Sequence, residues 1–213
     1  MNKNKHYIEK CIAEGESLTQ DFKFAINDSK KIAKSLVAFS NTIGGRLLIG
    51  VKDNGNIAGV RTDEEFHMIQ AAAEMYCKPA IIFETKTWML NGKKVLEIII
   101  PESRRKPHMA MLDEKRWCAF VRVNDENIAA NPVQIQVWQK QKQKGGVKII
   151  DSEPGKKLLA YLNENELISL SGFLKLAGIS YQKAIHILSD YIVLDLIAIT
   201  HRQNGFLYQL KQR

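Results

Sequence analysis

Two groups of residues in this 213-residue chain have the types and spacing to hold a polyanion. Arg104, Arg105 and Lys106 stand in a row, and Lys115, Arg116 and Arg122 follow within a short span. Ammonium and guanidinium groups on phosphates give sequence-independent, salt-sensitive affinity, so this run is the first candidate for nucleic-acid contact. The second group is Ser180, Tyr181, Gln182 and Lys183, with His186 one turn further on. Gln matches adenine, and Ser, Tyr and Lys reach phosphates or guanine. Arg202, Lys211 and Arg213 come later in the same region. Taken singly, each residue reads as solvated surface; as groups they read as phosphate and base contacts.

Other chemistries are disfavoured by pattern. Gly44-Gly45 lies between a predicted helix and a predicted strand, the reverse of a P-loop, and no Gly-Lys-Ser/Thr follows. The pair reads as a helix stop and tight turn, which sets aside nucleoside triphosphate hydrolysis. Cys11, Cys77 and Cys118 are far apart and read as reduced small hydrophobes. His67 and His108 have no partner at zinc-ligand spacing, and Trp117 reads as a partly buried strand residue.

The elements that must position the basic groups follow from periodicity and turn signals. Ile32, Ala33, Leu36, Val37 and Phe39 recur at helical spacing from Asp28 to Asn41, with Asp28 or Ser29 as N-cap. RLLIGV (46–51) reads as a strand covered on both faces, and IAGV (57–60) as its hairpin partner across Asp53-Asn54-Gly55-Asn56. A helix follows from about Asp63 to Cys77. Segments 80–90 and 93–101 form a hairpin across Asn91-Gly92, the strongest short-range cue in the chain. A strand at 117–123 and a closing helix at 132–140, with Pro132 in its first turn, complete an α+β domain with a mostly antiparallel sheet.

The polar run 139–155, with Gly145-Gly146 and Pro154-Gly155, reads as a linker. The division is 1–144 for the first domain, 145–154 for the linker and 155–213 for the second domain. Helices over 155–165, 170–179 and 181–197 precede a hairpin made from 197–200 and 206–210 across Asn204-Gly205. That order predicts a winged helix-turn-helix, with 181–197 as its reading helix.

Charge is uneven across that boundary. The whole chain carries 31 Lys+Arg, 23 Asp+Glu and a net charge of +8. Residues 1–144 hold 23 basic and 17 acidic residues (+6), and residues 145–213 hold 8 and 6 (+2). The surplus sits on the first domain and the reading helix on the second. No apolar run reaches a membrane-spanning length and the amino end has no signal-peptide pattern, so the expected location is the cytoplasm.

EGESLTQDFKF (14–24), KIAKSLVAFSNTIGGRLLIGVKDNGNIAGV (31–60) and WCAFVRVNDENIAANP (117–132), in that order, resemble the signature of the Schlafen/AlbA-like domain family over about residues 10–135. The resemblance implies a bacterial-type DNA-binding domain, often joined to a winged helix. Some eukaryotic relatives are metal-dependent endoribonucleases with an acidic triad. That triad falls on Glu16, Asp21 and Asp53, which would hold Mg²⁺ or Mn²⁺, with Lys23 beside the phosphate. Asp21 is shorter by a methylene than the Glu usual in the family. Turn formation accounts for Asp53 without any metal.

The resulting expectation is a DNA-binding transcriptional regulator, requiring no cofactor and acting as a homodimer, with DNA preferred over RNA. Tyr181, Gln182, Lys183 and His186 would enter the major groove, Arg202 would lie on the wing, and Arg104, Arg105, Lys106 and Arg122 would hold phosphates. The alternative is a metal-dependent nuclease of RNA or single-stranded DNA.

Overall fold

Local chemistry starts the elements where the spacing predicts them. The computed structural model describes residues 3–60, 62–143, 152–203 and 205–211. After α1 (Lys3–Glu14) and β1 (Gln20–Lys23), the Asp28 carboxylate accepts from the Lys30 and Lys31 amides and caps α2 (Ser29–Asn41). The chain continues through β2 (Gly45–Ile49), α3 (Glu64–Met75), β3 (Cys77–Lys78), β4 (Glu84–Leu90) and β5 (Lys93–Ile100). Then come β6 (Met109–Met111), β7 (Trp117–Cys118), β8 (Phe120–Val123) and β9 (Glu126–Ala129).

The main sheet has the order β1-β2-β5-β4, with β1 and β2 parallel and the other pairs antiparallel. Its side chains alternate between two apolar layers. Leu47, Ile49, Leu96, Ile98 and Ile100 pack under α2 and α3, against Leu36, Phe39 and Ile69. Leu48, Val95 and Phe22 face the other way, onto Ile8 and Cys11 of α1. The expectation that β2 is covered on both faces therefore holds.

Gly45 shows why the glycine pair is needed. A Cβ there would fall 2.3 Å from the Phe39 ring and 2.8 Å from Thr19 O. At the β4–β5 turn, Asn91 and Gly92 both take positive φ (51° and 73°), matching the twist of a two-residue hairpin.

Some details differ from the sequence expectations. Segment 57–60 forms a single bridge, Val51↔Ile57, instead of a strand. Gly50 O accepts from both Ala58 N and Gly59 N, and Val60 N then bonds Lys94 O, so the segment turns across to β5. The run 117–123 is split at Ala119, whose carbonyl accepts from Ala130 N; β7 pairs with β6, and β8 pairs with β9. Helix α1 was not foreseen.

The chain divides into two compact units, Met1–Ala130 and Asn131–Arg213. In the second, Asn131 caps α4 (Pro132–Gln141), followed by α5 (Glu153–Glu164), β10 (Ile168–Ser169), α6 (Leu170–Ala177), α7 (Tyr181–Val193), β11 (Ile197–Arg202) and β12 (Gly205–Leu210). The sequence reading ends the first domain with α4. In the structure, Val133 and Val137 of α4 join Leu158, Phe173, Leu188 and Tyr208 in the core of the second unit. The strands form an antiparallel sheet in the order β10-β12-β11. Residues 144–151 of the expected linker region, and Asn204 of the expected turn, lie outside the described residues. Among the described residues no helix is long and apolar enough to cross a membrane.

Candidate nucleic-acid interface

The acidic residues lie where α1 hands over to β1. Glu16 Oε1 accepts from the Phe22 amide at 2.8 Å. Burial first, then the neighbouring Asp21 carboxyl, raise the Glu16 pKa above its ordinary 4.5, while the Phe22 amide and Lys23 pull it back. Asp21 is buried between two cations. Lys23 Nζ is 2.8 Å from Oδ2, and Arg122 Nη2 is 3.5 Å from Oδ1. The ammonium nevertheless aims its hydrogen bond at Phe22 O (2.7 Å), so Oδ2 is ion-paired without a directed bond.

Asp53 does not join them. It is exposed in a turn closed by Gly55 N→Lys52 O and Lys52 N→Asn56 O. Among the described residues no three His, Cys, Asp or Glu side chains gather to hold a metal ion. The gathering of Glu16, Asp21 and Asp53 expected for Mg²⁺ or Mn²⁺ is not seen among the described residues, where Lys23 and Arg122 pair with Asp21.

The basic run separates into internal and external charges. Arg122 was expected to hold phosphate, but its side chain is 1% exposed. It donates to Gln20 O (3.1 Å), Ser17 O (3.2 Å) and Asn127 Oδ1 (3.1 Å), and lies over the Phe39 ring. Its partners come from segments far apart in sequence, and it serves to pin β8 to β1. Lys106 is also committed, to Glu102 Oε1 (2.6 Å) and Thr42 O (2.8 Å). Arg104 and Arg105 remain exposed, with no ion pair among the described residues.

In the second unit, Ser180 Oγ accepts from the Lys183 amide and starts α7 with Tyr181, Gln182 and Lys183 all exposed. The next turns bury Ala184, Ile185 and Leu188 in the core. His186 is half-exposed, but its Nε2 lies 3.3 Å from Asp190 Oδ2. Asp190 also takes the Lys140 ammonium at 2.5 Å, which reaches His186 O as well, so this network ties α4 to α7. Arg202, near the hairpin tip, pairs with Glu166 at 2.6 Å.

One polar centre was missed by the sequence reading. Glu97 is fully buried and accepts from Tyr7 Oη (2.8 Å) and Trp88 Nε1 (2.9 Å), with Arg46 Nε at 3.9 Å. Arg46 also reaches Cys11 Sγ (2.7 Å) beside a cavity of about 360 Å³. Burial and the Glu97 carboxylate push the Tyr7 phenol upward. The visible signal was a lone acid inside VLEIII.

The family model described as Schlafen, AlbA_2 matches residues 16–131, more than half of the chain. The chain belongs to the Schlafen, AlbA_2 family. Among solved structures, this Schlafen-family chain is similar to the DIP2311 protein from Corynebacterium diphtheriae. The TM-score is 0.50 at 16% identity, over 73% of this chain and 38% of that one. It thus spans well under half the length of that relative. It is also similar to the N-terminal domain of an ATP-dependent DNA helicase RecG-related protein from Nitrosomonas europaea. There the TM-score is 0.43 at 19% identity, over 62% of this chain and 91% of that one. No curated protein matches the chain.

Proposed function

We propose that the chain is a nucleic-acid-binding protein that reads duplex DNA in a transcription-regulating role. In this reading the second unit is a winged helix, α7 is its reading helix, and Arg104 and Arg105 grip phosphates from the first unit. The observation that carries the reading is the start of α7. Tyr181, Gln182 and Lys183 stand exposed together on a capped helix whose following turns are anchored in the core. Support comes from the order of elements, with α5, β10, α6 and α7 preceding a hairpin, and from the sheet order β10-β12-β11. His186 and Arg202 keep secondary places, since each has an acidic partner. Two copies would present two such helices to a two-fold site.

The nuclease alternative requires three acids on one cation, and among the described residues no such group gathers. The test of the regulator reading is selection of preferred sites from a random duplex pool. The wild-type protein is expected to enrich a sequence motif. Gln182→Ala is expected to relax one position of it, at a cost of about 1–3 kcal/mol for a bidentate base contact. Enrichment of no motif by the wild type would overturn the reading, as would an unchanged motif in Gln182→Ala.

A further inference from the structure

The polar centre around Glu97 serves neither surface proposed for DNA, and it lines the cavity of about 360 Å³ in the first unit. The strand register puts it there. Arg46 pairs with Ile99 and Leu48 with Glu97 across β2–β5, so these four side chains take one face of the main sheet, the face towards α1. Leu48 is buried against Ile8 and Cys11 of α1. Two residues nearer the start of β2, that packing gives way to the cavity, with the Arg46 guanidinium 5.6 Å from the Tyr7 ring centroid. Ile43, Ile99 and Pro101 supply apolar wall. Ile43 and Tyr7, both large and exposed (56% and 37%), line this same opening.

The two charges at its floor differ in what they leave open. Glu97 is fully buried and accepts from two neutral donors, Tyr7 Oη and Trp88 Nε1. Arg46 is 32% exposed, and its Nε stays 3.9 Å from Glu97. Its Nη1 donates to Tyr7 Oη (2.9 Å) and Cys11 Sγ (2.7 Å), whereas Nη2 has no partner among the described residues. Glu102, the other acid of the lining, is held by Lys106 at 2.6 Å. The accessible, unspent charge is therefore positive, and it sits beside a buried carboxylate that disfavours more than one negative charge on a ligand.

We propose that this cavity binds a small monocarboxylic acid with an apolar chain, its carboxylate on Arg46 Nη2 and its chain against Ile43, Ile99 and Pro101. A carboxylate accepts a charge-assisted hydrogen bond from the guanidinium, and it carries the single charge that Glu97 tolerates better than a phosphate dianion. An apolar wall with a few placed polar groups is the usual make-up of a small-molecule site, and the volume suits a chain of about eight carbons. The site lies apart from Arg104, Arg105 and α7, and it does not depend on the nucleic-acid reading.

The test is isothermal titration calorimetry of the full chain with butanoate, hexanoate and octanoate, and with hexanol as the neutral counterpart of hexanoate. Octanoate is expected to bind one to one with a Kd of about 0.1–1 mM. Each two added methylenes should tighten binding by about fourfold or more. Hexanol should bind about tenfold more weakly than hexanoate, the loss expected when a hydrogen bond to a charged group goes. Arg46→Met should weaken octanoate by about 10–100-fold. Ile43→Asp, at an exposed position outside the Glu97 network, should weaken it by about tenfold while its melting curve stays that of the wild type. Should Arg46→Met fail to fold, the alcohol and Ile43→Asp still decide. Wild-type protein that binds none of the acids overturns the proposal. So does hexanol binding as tightly as hexanoate, or an Ile43→Asp variant with unchanged octanoate affinity.

Discussion

In the first unit, Arg122 and Asp21 meet inside a web of backbone carbonyls, and Arg46 and Glu97 sit together under α1. In the second unit the core is apolar, and its buried charge is concentrated at Lys140 and Asp190, where α4 meets α7. Counted on the two units, Met1–Ala130 holds 20 basic and 17 acidic residues (+3) and Asn131–Arg213 holds 11 and 6 (+5). With α4 in the second unit, the larger surplus lies there. Part of the first unit's positive charge is consumed as internal ties between distant segments. The exposed, unpaired cations are therefore fewer than composition implies, and of Arg104, Arg105, Lys106 and Arg122 only the first two are among them. The larger surplus of the second unit includes Lys183, exposed at the start of α7.

Breaking the internal tie of the first unit should have the largest effect. Arg122→Met leaves Asp21 buried with only Lys23 to offset it, and strips donors from Gln20 O and Ser17 O. The expected loss is about 3–5 kcal/mol, read from urea unfolding. A loss below about 1 kcal/mol would mean that the guanidinium is not the pin the geometry describes.

The second unit should respond differently, because its pair has an apolar surround. Lys140→Met alone strands Asp190 and is expected to cost a little less than the Arg122 variant, since Asp190 keeps His186 nearby. The double variant Lys140→Met/Asp190→Leu should recover most of that stability, because a buried ion pair is replaceable by packed hydrophobes. A double variant no better than the single one would make the two units alike. Smaller still, Asn131→Ala removes the side-chain oxygen that accepts from the Gln134 amide at 2.8 Å. About 1 kcal/mol should be lost from the second unit and nothing from the first, measurable by hydrogen exchange in each.

The smallest effect depends on pH. Glu16 has its pKa raised in the folded protein above the 4.5 of the unfolded chain. Its contribution to stability is therefore fully present below pH 4.5 and is lost as pH rises through the folded value. Glu16→Gln has no proton to lose. The variant should gain on the wild type as pH rises through and above 4.5 in paired urea titrations, and a constant difference would exclude the raised Glu16 carboxyl.

What the sequence made legible was local. Asp28 and Ser180 as caps, Asn91-Gly92 as a hairpin turn and Gly44-Gly45 as a stop all depend on neighbours within a few residues. The family signature also located β1, α2 and β2. What stayed hidden depended on contacts across the chain. Arg122 looks like any strand arginine until Ser17, Gln20 and Asp21 are brought to it from about a hundred residues away. Helix α1 is mostly polar, and it is positioned by Ile8 and Cys11 on a sheet face that the sequence alone does not define. Assigning α4 to the first domain was natural, because Val133 and Val137 show an apolar stripe but not which core receives it. Asp53 is a correct turn residue, and the carboxylate gathering expected of it required a convergence that adjacency in motifs does not guarantee.

The most direct test of this division of charges is the salt dependence of duplex binding by single-site variants. Lys183→Ala should reduce the magnitude of the log–log slope by about 1, and Arg104→Ala or Arg105→Ala should do the same. Lys106→Ala, whose ammonium is already held by Glu102 and Thr42, should leave the slope unchanged. A slope that falls for Lys106→Ala and stays fixed for Lys183→Ala would contradict the assignment of internal and external cations on which the nucleic-acid reading stands.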